Sequence, residues 1–188
     1  MVFGFDISTT TIGLSYFDND GKFSYSTHVD LSKEEDMIQK MQYASRWFAD
    51  FLRDISKDCW REHHYVFIEE RLGNFSAGRS MLQTLMKLAA FNFAFSWEVW
   101  CQFNDYHADF TVKYIHPSTV KAIMKGNGLI IPKGSKEKKK LTLDFVAQRE
   151  PTFVVDRTRT GTPKPYMFDR ADAYCVALAG VSKYVKCS

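Results

Sequence analysis

Four carboxylic acids occupy positions that suit metal chemistry better than solvation. Asp6 and Glu69 each follow a short apolar run of strand type, and burying a carboxylate there without a partner is energetically expensive. Asp169 and Asp172 are three residues apart, a spacing that puts both side chains on one face of a helix. Gathered together, four carboxylates would repel one another, so such a cluster makes sense chiefly as a site for a hard divalent cation such as Mg²⁺.

Each carboxylate also has a structural explanation of its own. Asp6 could cap a turn, Glu69 could pair with Arg71 or Arg79, Asp169 could be a helix N-cap, and Asp172 could be a solvated acid in a first helical turn. Their joint occurrence favours a shared metal site. Two ions about 4 Å apart can activate a water and stabilise the leaving oxygen of a phosphodiester, which indicates in-line hydrolysis.

The charge distribution indicates a polyanionic partner. The chain has 188 residues and a net charge of +3, but residues 121–164 hold 11 Lys and Arg against 4 Asp and Glu. The rest of the chain holds 14 against 18. A basic segment within an otherwise acidic chain is typical of nucleic-acid binding, although a solvated basic loop would have the same composition.

Hydrophobic periodicity predicts the elements that must position the carboxylates. Alternation and a turn at 18–21 predict three antiparallel strands within the first thirty residues. Helical spacing predicts a long helix up to Ile55, opened by a capping box of Ser32 and Glu35. Further strands are expected at 65–69 and 111–115, and further helices at 77–103, from about 117, at 136–148 and at 169–184. The pattern is that of an α/β domain.

The helix expected at 77–103 carries apolar residues on more than one face. Phe91, Phe95 and Val99 add to a first stripe that includes Phe93 and Trp97. A surface helix needs a single stripe, so the second face should be covered either by a partner subunit or by a loop of the same chain.

The motifs that carry the carboxylates resemble those of the RuvC-type Holliday junction resolvases of the ribonuclease H-like superfamily. The resemblance spans nearly the whole chain and rests on Gly4-Phe5-Asp6-Ile7-Ser8, Ile68-Glu69-Glu70, Lys121 with Gly134-Ser135-Lys136-Glu137-Lys138, and Asp169-Arg170-Ala171-Asp172-Ala173. It implies an α/β ribonuclease H-like fold with a five-stranded mixed sheet, order 3-2-1-4-5, flanked by helices. It also implies one nuclease domain over 1–188, with a basic insertion around 125–140.

The resemblance assigns roles to particular residues. The metal ligands of the family match Asp6, Glu69, Asp169 and Asp172, which would hold two Mg²⁺ ions, with Mn²⁺ expected to substitute. Its two lysines that contact junction phosphates match Lys121 and Lys138 best, although Lys136, Lys139 or Lys140 could replace Lys138 after a one-residue shift. Strand alternation favours Glu69 over the adjacent Glu70. The residues expected to bind DNA are Lys121, Lys125, Lys133, Lys136, Lys138, Lys139, Lys140, Arg157, Arg159 and Phe75.

Phe75 is included because the family places an aromatic residue near the junction centre, where this chain has Leu72 at the expected offset. The segment 126–133 is longer than the bacterial pattern, which suggests a bacteriophage or other divergent branch. No signal peptide, membrane span, CxxC pair or His at metal-ligand spacing is evident. A cytoplasmic protein of a bacterial or phage-infected cell is therefore expected, with reduced cysteines.

The predicted activity is that of a crossover junction endodeoxyribonuclease, a metal-dependent enzyme that resolves four-way and other branched DNA by paired symmetric nicks. Paired nicks require two active sites, so a homodimer built largely on the 77–103 helix is expected. The alternatives are a YqgF-like RNA-processing nuclease, a non-catalytic DNA-binding module, and an actin-like ATPase fragment. The last is disfavoured because 188 residues leave no room for a second phosphate-binding lobe.

Overall fold

A five-stranded mixed sheet forms the centre of the computed structural model, which describes residues 1–55, 62–70 and 79–184. The strands are β1 (Val2–Ile7), β2 (Thr11–Phe17), β3 (Phe23–Asp30), β4 (His64–Glu69) and β5 (Phe110–Ile115). The spatial order is β3-β2-β1-β4-β5, as predicted. Antiparallel pairing joins β1, β2 and β3, whereas β4 runs parallel to both β1 and β5.

Five helices among the described residues cover the two faces of the sheet. They are α1 (Met37–Asp54), α2 (Arg79–Asp105), α3 (Pro117–Gly126), α4 (Lys138–Arg149) and α5 (Tyr166–Tyr184). One apolar core lies between the sheet and α1 with α2, and the other between the sheet and α3, α4 and α5. Within the described ranges, no helix is both long enough and apolar enough to cross a membrane.

The start of α1 differs from the prediction. Its N-cap is Asp36, whose carboxylate accepts hydrogen bonds from the backbone N–H groups of Ile38 and Gln39, both at 2.8 Å. The predicted capping box of Ser32 and Glu35 is therefore wrong. Ser32 instead donates its backbone N–H to the Asp30 carboxylate at the end of β3, so the chain is still turning where the helix was expected.

Strand alternation assigns each side chain to one of the two cores. Phe3, Phe5 and Ile7 point toward α1 and α2, where they are fully buried. Gly4 and Asp6 have the opposite parity and lie on the face covered by α5. The carboxylate at the end of β1 therefore belongs to the α5 side of the sheet.

Glycines let α5 approach the sheet closely. A Cβ on Gly4 would lie 2.3 Å from the backbone nitrogen of Ala177, and a Cβ on Gly13 would lie 2.3 Å from the carbonyl oxygen of Asp169. At the other end of the helix, a Cβ on Gly180 would lie 2.0 Å from the ring of Phe67. No side chain fits at these three positions without displacing α5, so the missing side chains set how deeply the helix sits.

Candidate metal centre and its cavity

Three of the four predicted carboxylates converge where α5 crosses the end of β1. Oxygen atoms of Asp6, Asp169 and Asp172 all lie within 4.8 Å of one another, and we call this group the carboxylate cluster. Asp6 is only 4% exposed, and Gly13 lies beside it on β2 with the backbone of Asp169 directly above. Three close carboxylates are the oxygen donors that Mg²⁺ and Mn²⁺ prefer, so the residues present fit a divalent cation.

Glu69 borders the cluster on the side of β4. It has the strand parity of Phe67, which packs against α5, so its side chain faces the α5 side of the sheet. Burial and, to a smaller extent, the charge of Asp172 raise the pKa of Glu69 to about 7, although the ammonium group of Lys121 opposes both. A carboxyl group with this pKa is poised to lose its proton when a cation arrives.

A cavity of about 690 Å³ opens beside Glu69 and Asp172, and we call it the Glu69 cavity. Part of its wall comes from α3, α4, α5 and the segment between α3 and α4. Five of the predicted DNA-binding residues line it, namely Lys121, Lys125, Lys133, Lys138 and Lys139. All five are exposed, so their charges are available to an anionic ligand that enters the cavity.

Lys139 makes the most direct lysine contact with the carboxylate cluster. Its Nζ lies 3.5 Å from Oδ1 of Asp169. Lys138 is the first residue of α4 and lines the Glu69 cavity, but no ion pair to the cluster is found for it within the described residues. Consecutive helical residues diverge by about 100°, so sequence offset could not distinguish which of these two lysines turns toward the metal centre.

The structure bears on two of the single-residue alternatives. The Ser8 hydroxyl organises the β1–β2 turn, because its Oγ accepts a hydrogen bond from the Thr11 N–H at 2.9 Å. Asp169 is not an N-cap, because α5 begins at Tyr166 and Asp169 already lies within the first helical turn. Of the proposed partners of Glu69, Arg71 lies outside the described residues.

Arg170 anchors the helix that carries two of the carboxylates, a role that sequence reasoning missed. Its side chain is only 13% exposed. Its guanidinium group donates to the Ser26 carbonyl oxygen at 2.8 Å, lies 3.7 Å from the Asp156 carboxylate, and stacks over the Phe153 ring. The sequence feature that could have indicated this role is the position of the arginine, which lies between two predicted metal ligands on a helix that is otherwise largely buried.

The segment after α4 forms a short hairpin that displays basic side chains away from the cavity. Arg157 pairs with Pro163 across the hairpin, and Gly161 forms the turn with a φ of 83°. Arg157 and Arg159 are exposed, and neither lines the Glu69 cavity. The same holds for Lys136 and Lys140, whereas Phe75 and Leu72 lie outside the described residues.

Comparison with solved structures shows that the fold is that of RuvC. The structure of Thermus thermophilus RuvC in complex with Holliday junction substrate matches with a TM-score of 0.55 and 16% sequence identity. A second Thermus thermophilus RuvC structure matches with a TM-score of 0.57 and 19% identity. Each comparison covers 96% of this chain and 93% of the RuvC chain. No protein-family model and no curated protein sequence matches the chain.

Proposed function

We propose that the protein is a metal-dependent endonuclease that resolves four-way DNA junctions by paired symmetric nicks. The observation that carries the proposal is the carboxylate cluster at the edge of a lysine-lined cavity, on a ribonuclease H-like fold shared with RuvC. Carboxylates alone would repel a phosphodiester. The combination of carboxylates with five lysines suits a phosphate that is bound together with cations.

Asp6, Asp169 and Asp172 would hold one divalent ion, and Glu69 with Asp172 would contribute to a second. Bound Mg²⁺ or Mn²⁺ would supply an activated water and stabilise charge on the leaving oxygen. Lys121 lines the same cavity as Glu69 and would stabilise the negative charge that develops on the phosphate. Lys139, or Lys138 beside it, would do the same from the side of α4.

Cleavage assays with two nucleic acids and a hydrolysis assay with ATP separate the proposed activity from its alternatives. Synthetic four-way junctions in Mg²⁺ should be nicked in two symmetric strands, whereas structured RNA should remain intact and ATP should not be hydrolysed. Asp6→Asn and Asp172→Asn should abolish nicking while preserving junction binding, since each removes a ligand oxygen and one repulsive charge. Binding without nicking by the unmodified protein would favour the non-catalytic module, and cleavage of RNA alone would favour RNA processing.

The lysines and the hairpin arginines should differ in kinetics. Lys121→Ala and Lys138→Ala should lower the single-turnover rate at saturating junction, because a cation beside the scissile phosphate stabilises the transition state. Arg157→Ala and Arg159→Ala should instead lower the affinity and reduce the slope of log affinity against log salt by about 0.9 per lost phosphate contact. A normal saturating rate for both lysine variants would remove these residues from the catalytic machinery.

A homodimer through α2 would supply the two active sites that paired nicks need. One face of α2 packs on the sheet, whereas Met86, Phe93 and Trp97 on the other are 61%, 68% and 59% exposed. Trp97 stacks on Trp100 with ring centroids 5.2 Å apart, which extends this apolar surface. Sedimentation of wild type and Trp97→Glu at micromolar concentration tests the proposal, and a monomeric wild type in the presence of junction would contradict it.

A further inference from the structure

Another cavity lies on the face of the sheet that the proposed cleavage does not use. It has a volume of about 540 Å³ and is lined by α1, by β2 and β3, and by the turn between these two strands, and we call it the Tyr25 cavity. It lies on the α1 side of the sheet, whereas the carboxylate cluster lies on the α5 side. A ligand in the Tyr25 cavity would therefore leave the carboxylate cluster accessible.

Four aromatic rings form a continuous wall of this cavity. The rings of Trp47 and Phe51 on α1 stack with their centroids 6.4 Å apart. The Phe51 ring contacts the Tyr16 ring of β2 at 5.9 Å between centroids, and the Tyr16 ring contacts the Tyr25 ring of β3 at 6.4 Å. Tyr25 is 52% exposed and belongs to an edge strand, so the wall is open to solvent on that side. Exposed aromatic faces in a concave site attract cations.

Three carboxylates border the aromatic wall, those of Asp18, Asp50 and Asp54. Asp50 forms an ion pair with Arg53 at 2.8 Å, and Asp18 accepts two backbone hydrogen bonds from the turn that follows it, both to Oδ1. Within the described ranges, no ion pair is found for Asp54, which is exposed at the end of α1. The amino group of Met1 also lines the cavity, and the lining still carries a net negative charge. Carboxylate oxygens therefore stand ready beside aromatic rings.

The charge around the cavity favours a basic polypeptide over a nucleic acid. Residues 1–55 hold 5 Lys and Arg against 9 Asp and Glu, whereas residues 121–164 hold 11 against 4. Phosphates are repelled by the first segment and attracted by the second. Arginine fits this cavity better than lysine, because its planar guanidinium group stacks on aromatic rings and donates to a carboxylate through two parallel hydrogen bonds.

We propose that the Tyr25 cavity binds an arginine side chain presented by a segment of a partner protein. The guanidinium group would stack on the aromatic wall and donate to the carboxylate of Asp54. The exposure of Tyr25 and Asp54 leaves room for the polypeptide that carries the arginine. The inference goes beyond the proposed function, because it requires no cleavage of DNA. A partner held in this way would stay bound while DNA occupies the basic segment on the other side of the sheet.

Selection from a displayed library of short random peptides tests the proposal. Peptides are selected on the wild type, and those that also bind a Tyr25→Ser/Asp54→Asn double variant are discarded. Both residues are exposed, so this variant should fold. The remaining peptides should share an arginine. In a synthetic peptide from this set, citrulline in place of that arginine keeps the shape and removes the charge, and it should raise the Kd by about tenfold in calorimetric titrations.

Single variants measure the contribution of each group to binding of that peptide. Asp54→Asn and Tyr25→Ser should each raise the Kd about fivefold, whereas Tyr25→Phe keeps an aromatic face and should change it by less than about twofold. Glu35→Gln is the matched control for Asp54, because Glu35 is exposed in the same acidic segment and does not line the cavity. Tyr43→Ser is the control for Tyr25, since Tyr43 is 42% exposed and also lies outside the lining. Both controls should bind like the wild type.

The outcomes separate this inference from the proposed function. The docking site is overturned if no peptide passes the selection, if the selected peptides lack arginine, or if Glu35→Gln weakens binding as much as Asp54→Asn. Spermidine or free arginine amide that binds as tightly as the peptide would assign the cavity to small organic cations, and would also overturn the partner segment. A protein that binds the peptide and cuts no branched DNA loses the proposed function and keeps the docking site.

Discussion

The buried carboxyl group of Glu69 should make the metal-free protein less stable at alkaline pH. Its pKa in the folded state is about 7, against an ordinary value of 4.5, so folding favours the protonated form. The corresponding stability is fully present below pH 4.5 and is lost as the pH rises through 7. The difference between these two pKa values corresponds to about 3 kcal/mol at most, because water that enters the cavity screens the charge.

Replacing Glu69 by glutamine removes the charge while keeping the shape of the side chain. At pH 8 in EDTA, Glu69→Gln should unfold at higher urea concentration than the wild type, with a gain of about 1 to 3 kcal/mol. At pH 4.5 the two proteins should agree within about 0.5 kcal/mol, because the Glu69 side chain of the folded wild type is then protonated and neutral, like glutamine. Urea titrations followed by tryptophan fluorescence at five pH values between 4.5 and 8.5 would measure the difference.

Glu70→Gln is the matched control, because it removes the same charge from the next residue, which follows the end of β4. We expect it to keep the pH dependence of the wild type. Saturating Mn²⁺ at pH 8 should narrow or reverse the advantage of Glu69→Gln, since the wild-type carboxylate then gains a cation. If Glu69→Gln is less stable than the wild type by the same amount at every pH, the reasoning is refuted and Glu69 has an ordinary structural role.

Three further predictions concern the elements that support the site. Gly13→Ala should destabilise the fold by about 1 to 3 kcal/mol and weaken stabilisation by Mn²⁺, because its Cβ would displace Asp169. Arg170→Met should lower the unfolding free energy by about 1 to 3 kcal/mol in urea titrations, since the Ser26 carbonyl loses its donor. Burial lowers the pKa of His64 to about 4 from 6.5, so stability should fall by up to about 3 kcal/mol as the pH drops between these values, and His64→Gln should flatten that fall.

Each of these predictions has a control or a contradicting result. Gly126→Ala should be neutral within about 0.5 kcal/mol, because no atom outside its own stretch of helix lies within 4 Å of the added methyl group. Equal losses for Gly13→Ala and Gly126→Ala would contradict the account of how α5 is seated. Unchanged stability of Arg170→Met would show that Arg170 does not anchor α5. If His64→Gln loses as much stability as the wild type between pH 6.5 and 4, groups other than His64 cause that loss.

The individual strands and helices and the positions of the carboxylates on them could be predicted because they depend on local pattern, whereas the order of the strands in the sheet was implied by the family resemblance. Alternation placed Asp6 and Glu69 at strand ends, and the three-residue spacing put Asp169 and Asp172 on one helix face. The excess of apolar residues on α2 likewise predicted two apolar faces. Phe91, Phe95 and Val99 on one face are buried, and Phe93 on the other is 68% exposed. These inferences need only the two periods of secondary structure.

The other features of the fold and the site could not be predicted, because they depend on tertiary contacts that a local sequence pattern does not reveal. In the sequence alone, a glycine such as Gly13 within a strand indicates a weakened strand or a bulge. Only the packed structure shows that the missing side chain leaves room for the backbone of Asp169. The N-cap of α1 is Asp36 and not the expected Ser32. A capping motif shows which hydrogen bonds are possible, but it does not show at which residue the turn after the preceding strand ends and the helix begins. The contacts of Lys139 with Asp169 and of Arg170 with Ser26 likewise join residues that are far apart in the sequence and meet only in the folded structure.

The position of α5 on β1 and β2 also has a consequence for synthesis of the chain on the ribosome. The three antiparallel strands are complete at Asp30, whereas the helix that covers them ends at Tyr184. At about 5 to 20 residues per second, the two points are separated by roughly 8 to 30 s. During this interval the side of the nascent hairpins that α5 later covers faces solvent, and it carries Gly4, Gly13 and Ser15 as well as Val2, Phe17 and Phe23. The small residues that later seat the helix should therefore also limit the apolar area through which the unfinished chain can aggregate.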